Sequence, residues 1–290
     1  MSTVKGVSMK TGVIDIGGGM RGIYAAGVFD AFIDFGIKFD YCIGVSAGTA
    51  NLVSFLAGQK GRNYRFYVRH AQDKRYMSLE NMIKKGEYFD LSYIYDTLTN
   101  HVDPLDYDDA LINSPSELKI VATNAKTALP EYFDKEVFLE RSCKALMASC
   151  ALPIACRAVK INDVEYFDGG VSDPIPIRKA IEDGCDRVVV LLPRNVNLRK
   201  KPESLRYVYL RALRKYPEII EAINQRHEKY NRAIDELIEL REQGKAVIIS
   251  PAVQINARIN SKNPALLDRL YKQGRRDAVK ALPEIRKWGL

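Results

Sequence analysis

The sequence predicts an α/β layered protein built on a mostly parallel sheet. Two observations lead there. Short apolar runs alternate with longer stretches of helical periodicity from residue 12 onward, and glycines stand where runs end and helices begin or close. A third concerns bulk. The chain has 290 residues, 47% hydrophobic and 28% charged, so it can bury a core without covalent staples.

Residues 1–10 read as a loose tail. "GVIDI" (12–16) is a short apolar run stopped by a glycine cluster, as a buried strand would be. "GIYAAGVFDAFIDFG" (22–36) places apolar residues at helical spacing, and Gly36 closes it as a C-terminal cap. "DYCIGV" (40–45) is the next strand and "SAGTANLVSFLAG" (46–58) the next helix. Further strands are expected at 118–124, 165–169, 187–193 and 246–251, with longer helical stretches between them. No repeat, low-complexity segment or Pro/Gly/Ser-rich linker divides the chain. The expectation is one domain over 11–290: core motifs in 12–192, a helical insert at about 59–115, and a basic helical part at 194–290.

Composition narrows the function classes. The net charge of +8 hints at an anionic partner without being extreme. Five cysteines (Cys42, Cys143, Cys150, Cys156, Cys185) form no CxxC pair, and no histidine lies near one in sequence, which argues against zinc and for reduced thiols in a cytoplasmic protein. "MSTVKGVSMKTG" has no apolar core of a secretory signal, and no uncharged run approaches the roughly 20 residues a bilayer span needs.

"GVSAG" (44–48) fits G-x-S-x-G, in which a strand turns sharply into a helix and holds its serine outward at the carboxyl edge of the sheet. Gly44 and Gly48 relieve crowding around that turn, with Val45 and Ala47 beside Ser46. Amides at the helix start then lie where an oxyanion would form. The bland alternative is that Ser46 only caps the helix. "DIGGGMRG" (15–22) supplies a second signal. Gly17-x-Gly19-x-x-Gly22 after a strand is on its face a dinucleotide fingerprint, but that fingerprint needs an acidic residue ending the second strand. Asp40 starts that strand instead. No Gly-Lys-Ser/Thr follows, so a P-loop is excluded. What remains is a glycine-rich turn with Arg21 in it, able to approach an anion or needed only for its backbone angles.

A serine needs a base. His70 and His101 fall in the helical insert and His227 in a charged helix, none directly after a sheet strand, so all three read as surface histidines. Asp168, in "EYFDGGVSDPIPI" (165–177), ends a strand and is followed by Gly169 and Gly170 and by Asp173-Pro174 and Ile175-Pro176, which force an extended path. It is either an ordinary Asp-Gly turn or a carboxylate that partial burial could make basic.

Taken together, "GGGMRG" (17–22), "GVSAG" (44–48) and "DGG" (168–170), in that order, resemble the patatin-like phospholipase family. "ATNAKTALPEYF" (122–133) and the segment 149–170 resemble its bacterial members; "DGG" stands where many have "DGA", and both supply a tiny residue. The resemblance implies a three-layer α/β/α sandwich and metal-free, cofactor-free hydrolysis of lipid acyl esters by a Ser–Asp dyad. It implies Ser46 as nucleophile, Asp168 as general base, and an oxyanion hole from the amides around Gly18, Gly19 and Met20 in the 17–22 turn, steadied by Arg21. A nucleotide-binding protein using Gly17, Gly19 and Gly22, or a non-catalytic membrane-associated protein, are the competing classes.

Residues 194–216 hold eight Lys/Arg and one Glu. Over 205–216, Leu205, Val208, Tyr209, Ala212, Leu213 and Tyr216 share one helical face, with Arg206, Arg211, Arg214 and Lys215 elsewhere. That pattern suits either a helix covering the sheet, the preferred reading, or peripheral contact with an anionic membrane. No nucleic-acid recognition motif accompanies the charge. Seven tyrosines (64, 67, 76, 88, 93, 95, 107) in the insert are read as a packed core in preference to an acyl groove. The expected substrate is a lipid or other carboxylic ester.

Overall fold

The computed structural model describes residues 9–204, 206–253 and 255–290. Of the expected tail, residues 1–8 lie outside this range, as does Leu205 of the basic segment. In chain order the elements are β1 (Thr11–Asp15), α1 (Ile23–Asp34), β2 (Tyr41–Val45), α2 (Ala47–Leu56), α3 (Arg62–Val68), α4 (Leu79–Lys85), two π-helical segments (Tyr93–Val102 and Tyr107–Ile112), β3 (Glu117–Asn124), β4 (Pro130–Asp134), α5 (Lys144–Cys150), β5 (Val159–Ile161), β6 (Val164–Asp168), α6 (Ile177–Glu182), β7 (Arg187–Leu191), α7 (Arg206–Ala212), α8 (Pro217–Glu242), β8 (Ala246–Ile249) and α9 (Pro264–Arg286).

The sheet runs β5-β6-β3-β2-β1-β7-β8, with β4 also paired to β3. Its centre is parallel: β3, β2, β1, β7 and β8 all run the same way. β4, β6 and β5 join antiparallel at one side. The strand expected at 165–169 is therefore present as β6 but reversed, and β4 and β5 were not legible as strands.

Alternate residues of the central strands enter different cores, which is why those strands read as continuous apolar runs. Val13, Cys42, Leu118 and Val189 face a core with α1, α2 and α9. Ile14, Ile43, Val121 and Val190 face another with α6 and α8. The result is a three-layer sandwich. α1 and α9 cross at close range through a pair of glycines. A Cβ on Gly27 would stand 2.1 Å from the Tyr271 carbonyl oxygen, and one on Gly274 would stand 1.9 Å from that of Tyr24. Through β8 and α9, the C-terminal part is built into the same sheet and the same core as the first strands. No helix among the described residues is long and apolar enough to cross a membrane.

Register places the candidate residues together. Asp15 on β1 is level with Gly44 on β2, so the glycine turn and the serine elbow leave the sheet side by side. Val45 pairs with Val121, and the next residue of β3, Ala122, pairs with Asp168. Neighbouring strands are about 4.8 Å apart, so Asp168 sits roughly two strands from Ser46 at the same height.

Candidate active site

Ser46 takes φ 58° and ψ −134°, a backbone state that a non-glycine residue holds only under constraint. The constraint is visible in its neighbours. A Cβ on Gly48 would lie 2.2 Å from the Asp15 carbonyl oxygen, and one on Gly17 would lie 2.3 Å from that of Val45. Elbow and glycine turn are pressed together, and only glycine allows it. Ser46 stands at the N-cap position of α2, yet its side chain makes no capping bond. That disposes of the helix-cap reading. Its N–H donates to Ser149 Oγ at 2.9 Å, and Ser149 Oγ lies 3.1 Å from Thr49 Oγ1. The residue is 8% exposed.

Asp168 is 1% exposed. Its Oδ1 accepts the Gly170 N–H at 2.8 Å. Its Oδ2 is buried with no hydrogen-bond partner. An unpartnered buried carboxylate oxygen is costly, so its presence calls for an explanation. Burial pushes the Asp168 carboxyl above its usual range, against the pull of Arg226, the Ser46 hydroxyl, the Gly170 amide and Lys200. The Ser46 hydroxyl is thus close enough to favour the carboxylate while Oδ2 stays unbonded at rest; such bonds often tighten only with substrate in place. Arg226, on α8, donates from Nε to the Gly170 carbonyl oxygen at 2.5 Å and so braces the loop after Asp168.

In the glycine turn, Gly17, Gly18 and Gly19 all have positive φ. Gly17 N–H donates to Asp15 Oδ1 at 2.9 Å. Met20 N–H donates to the Ile259 carbonyl oxygen at 2.9 Å. This corrects the sequence-based expectation for Met20: a segment between β8 and α9 already holds its amide. The Gly18 and Gly19 amides have no acceptor among the described residues, and both residues border the cleft beside Ser46. Arg21 Nε donates to the Gly18 carbonyl oxygen at 3.3 Å. Beneath the turn, Asp15 Oδ2 accepts from Asn51 Nδ2 at 2.9 Å, and the same nitrogen reaches the Gly22 carbonyl oxygen at 3.0 Å. Burial pushes the Asp15 carboxyl up to about 7. Sequence reasoning missed Asp15, Asn51, Ser149 and Arg226. A carboxylate inside the apolar run "GVIDI" was the one local signal, for Asp15.

Two cavities meet at the serine. A narrow one of about 60 Å³ is walled mostly by apolar side chains, including Phe66, Leu91, Ile94 and Leu146, with Arg62, Asn51 and Asn63 also on its border. Of the seven tyrosines read as core, Tyr67, Tyr76 and Tyr95 also line this cavity. The other, a cleft of about 560 Å³, is bordered by Asp168, the glycine turn and several basic residues. Gly19, Ser46 and Leu152 border both. No histidine borders either. His70 is half-buried against Asp103, 3.3 Å from its Oδ2, which amends the surface reading, and His227 lies against the Asn224 carbonyl oxygen. Asp40 accepts the Thr11 N–H at the far end of β1 from the glycine turn, and the end of β2 beside that turn carries Gly44 and Val45 where the dinucleotide fingerprint calls for an acidic residue.

The basic segment differs from expectation. α7 covers Arg206–Ala212; Tyr209 on it and Leu213 just after it are buried. Val208 and Ala212, expected on the buried face, are exposed, with Val208 at 49% and Tyr207 at 88%. The helix is too short and too peripheral for its whole apolar stripe to meet the sheet.

A mixed α/β/α sandwich with a strained serine elbow, a glycine-rich turn and a buried aspartate, and no histidine within reach, defines a narrow class of proteins. The chain belongs to the patatin-like phospholipase family, whose model matches residues 16–181. At the level of that family it stands among lipid acyl hydrolases. Residues 216–289 match a second family described as a domain of unknown function, DUF6363. The chain is 29% identical over 275 residues to the uncharacterized protein YjjU of Escherichia coli (strain K12), covering 89% of this chain and 73% of that one. Among solved structures, it is similar to VipD from Legionella pneumophila, with a TM-score of 0.47, 16% identity, and 96% and 67% of the two chains covered.

Proposed function

We propose that this chain is a serine acyl hydrolase acting on lipid or other carboxylic esters through Ser46 and Asp168. The observation that carries the proposal is the buried, unpartnered Oδ2 of Asp168 beside a serine hydroxyl that caps nothing. Asp168 takes the Ser46 proton as Oγ attacks the ester carbonyl carbon. The carbonyl electrons move onto oxygen, and the Gly18 and Gly19 amides stabilise that charge. The intermediate collapses, the bond to the alcohol breaks, and the alcohol leaves with the proton from Asp168. Water then attacks the acyl-enzyme, again giving a proton to Asp168. The second collapse returns that proton to Ser46 and releases the acid. A carboxyl group whose pKa is raised by burial suits both directions of transfer better than an ordinary surface aspartate.

Peripheral membrane contact fits this reading through α7. Tyr207 and Val208 are exposed among basic residues, as a surface helix meeting an anionic interface would place them.

The test is labelling with a fluorophosphonate serine probe, paired with hydrolysis of p-nitrophenyl esters. The expected result is stoichiometric labelling that is lost in Ser46→Ala together with activity, at unchanged circular dichroism. Wild-type hydrolysis by Ser46→Ala would end the assignment.

A further inference from the structure

The larger cleft beside Ser46 gathers positive charge that the hydrolytic steps do not use. Arg21 enters it from the glycine turn, Arg194 and Lys200 from the segment after β7, and Arg226 from α8. Arg194 and Lys200 lie between the two matched family regions, and Arg226 lies in the second. Among the described residues, none of the four has a salt-bridge partner, whereas their neighbour Arg199 is paired to Asp235 at 2.7 Å. Asp168 and Glu203 are the carboxylates on the cleft's border; among the described residues neither forms an ion pair, although Asp168 feels Arg226 and Lys200, and Glu203 feels Lys200. Lys200 Nζ instead lies 4.0 Å from the centre of the Tyr230 ring.

The cations oppose one another. Burial, Arg194 and Arg226 push Arg21 down to about 10. Burial, Arg226, Arg21 and Arg194 hold Lys200 well below its usual range. Gathering partly desolvated like charges is unfavourable unless an anion joins them. A zwitterion with its own cation would bring a further positive charge into the group and lose much of that gain.

We infer that this cleft receives the phosphate-bearing alcohol half of an acyl ester, with no cationic group on that half, while the narrow apolar cavity across Ser46 receives the start of the acyl chain. The division follows the linings: about 60 Å³ on one side, mostly apolar with Arg62, Asn51 and Asn63 also on its border, and about 560 Å³ on the other, where Arg21, Arg194, Lys200 and Arg226 converge among apolar residues. The ester would lie at their junction, where Gly19, Ser46 and Leu152 border both. The word ester rests on the hydrolase reading; the anion selectivity of the cleft does not.

The test uses ligands that cannot be cleaved. Calorimetry below the micellar concentration would compare hexadecyl glycerol ether, its 3-phosphate and its 3-phosphocholine, together with inorganic phosphate. The phosphate is expected to bind at least about tenfold tighter than either other ether, the scale of one charge-assisted hydrogen bond. Arg194→Gln and Lys200→Gln, neither side chain holding a salt bridge, should each cut that ratio by about threefold or more, again with folding checked by circular dichroism. Equal affinity for the three ethers overturns the inference even where the fluorophosphonate probe still labels Ser46. Inorganic phosphate binding as tightly as the ether phosphate also overturns it, since the cleft would then be a free-anion site. A retained phosphate preference without Ser46 labelling supports the cleft and defeats only the hydrolase reading.

Discussion

Asp168→Asn removes one proton acceptor and changes little else. The amide oxygen can keep the Gly170 N–H now held at 2.8 Å by Oδ1. The amide nitrogen takes the place of Oδ2, which has no partner to lose, and it can donate to the nearby Ser46 oxygen. General-base catalysis is worth about 10²–10⁴-fold. At about 1.36 kcal/mol per tenfold, the expected loss in kcat/KM is about 2.7–5.4 kcal/mol of transition-state stabilisation. Stability should move the other way. Folding raises the Asp168 pKa, so the native state holds that proton more tightly than the unfolded chain. The wild type therefore loses stability as pH rises from the ordinary carboxylate range through the raised value, and the amide variant does not. At pH 8 the variant should be nearly inactive on p-nitrophenyl butyrate and at least as resistant to urea as the wild type. Activity within tenfold of wild type would refute the reasoning, and so would a loss explained by unfolding at that pH.

Single His70→Ala, His101→Ala and His227→Ala variants should each stay within about threefold of wild type in kcat/KM, since no histidine borders either cavity; collapse of activity in a well-folded variant would reveal a hidden triad. Asp15 is raised from 3.8 to about 7, so its contribution to stability falls as pH rises between those values, by on the order of 4 kcal/mol at most. Urea unfolding at pH 5 and pH 8 should show a steeper loss for wild type than for Asp15→Asn, and equal slopes would contradict the burial argument. Binding to anionic vesicles through α7 should weaken with rising salt and fall in a Tyr207→Ser/Arg211→Gln double variant. Salt-independent binding, or none, would leave α7 with a purely structural role.

Local spacing determined much of this protein. Apolar runs broken by glycine located the central strands, because residues buried on both faces have no polar alternation to keep. The strand–serine–helix junction and the aspartate ending a strand were equally local, so Ser46 and Asp168 could be singled out with no knowledge of distance. What joins them is the β2–β3–β6 register, in which β6 runs antiparallel, and no periodicity within a strand encodes its partner or its direction. The helical period over 205–216 grouped six side chains on one face, but α7 spans only Arg206–Ala212, and the group divides: Tyr209 and Leu213 are buried while Val208 and Ala212 are exposed. A period shows neither where a helix stops nor how much of its apolar face the core will cover. The oxyanion role of the Met20 amide was implied by the family resemblance, whereas its partner Ile259 comes from a segment after β8. The basic cleft draws Arg21, Arg194, Lys200 and Arg226 from three parts of the chain, and their mutual repulsion exists only once folding has brought them together in a partly desolvated space.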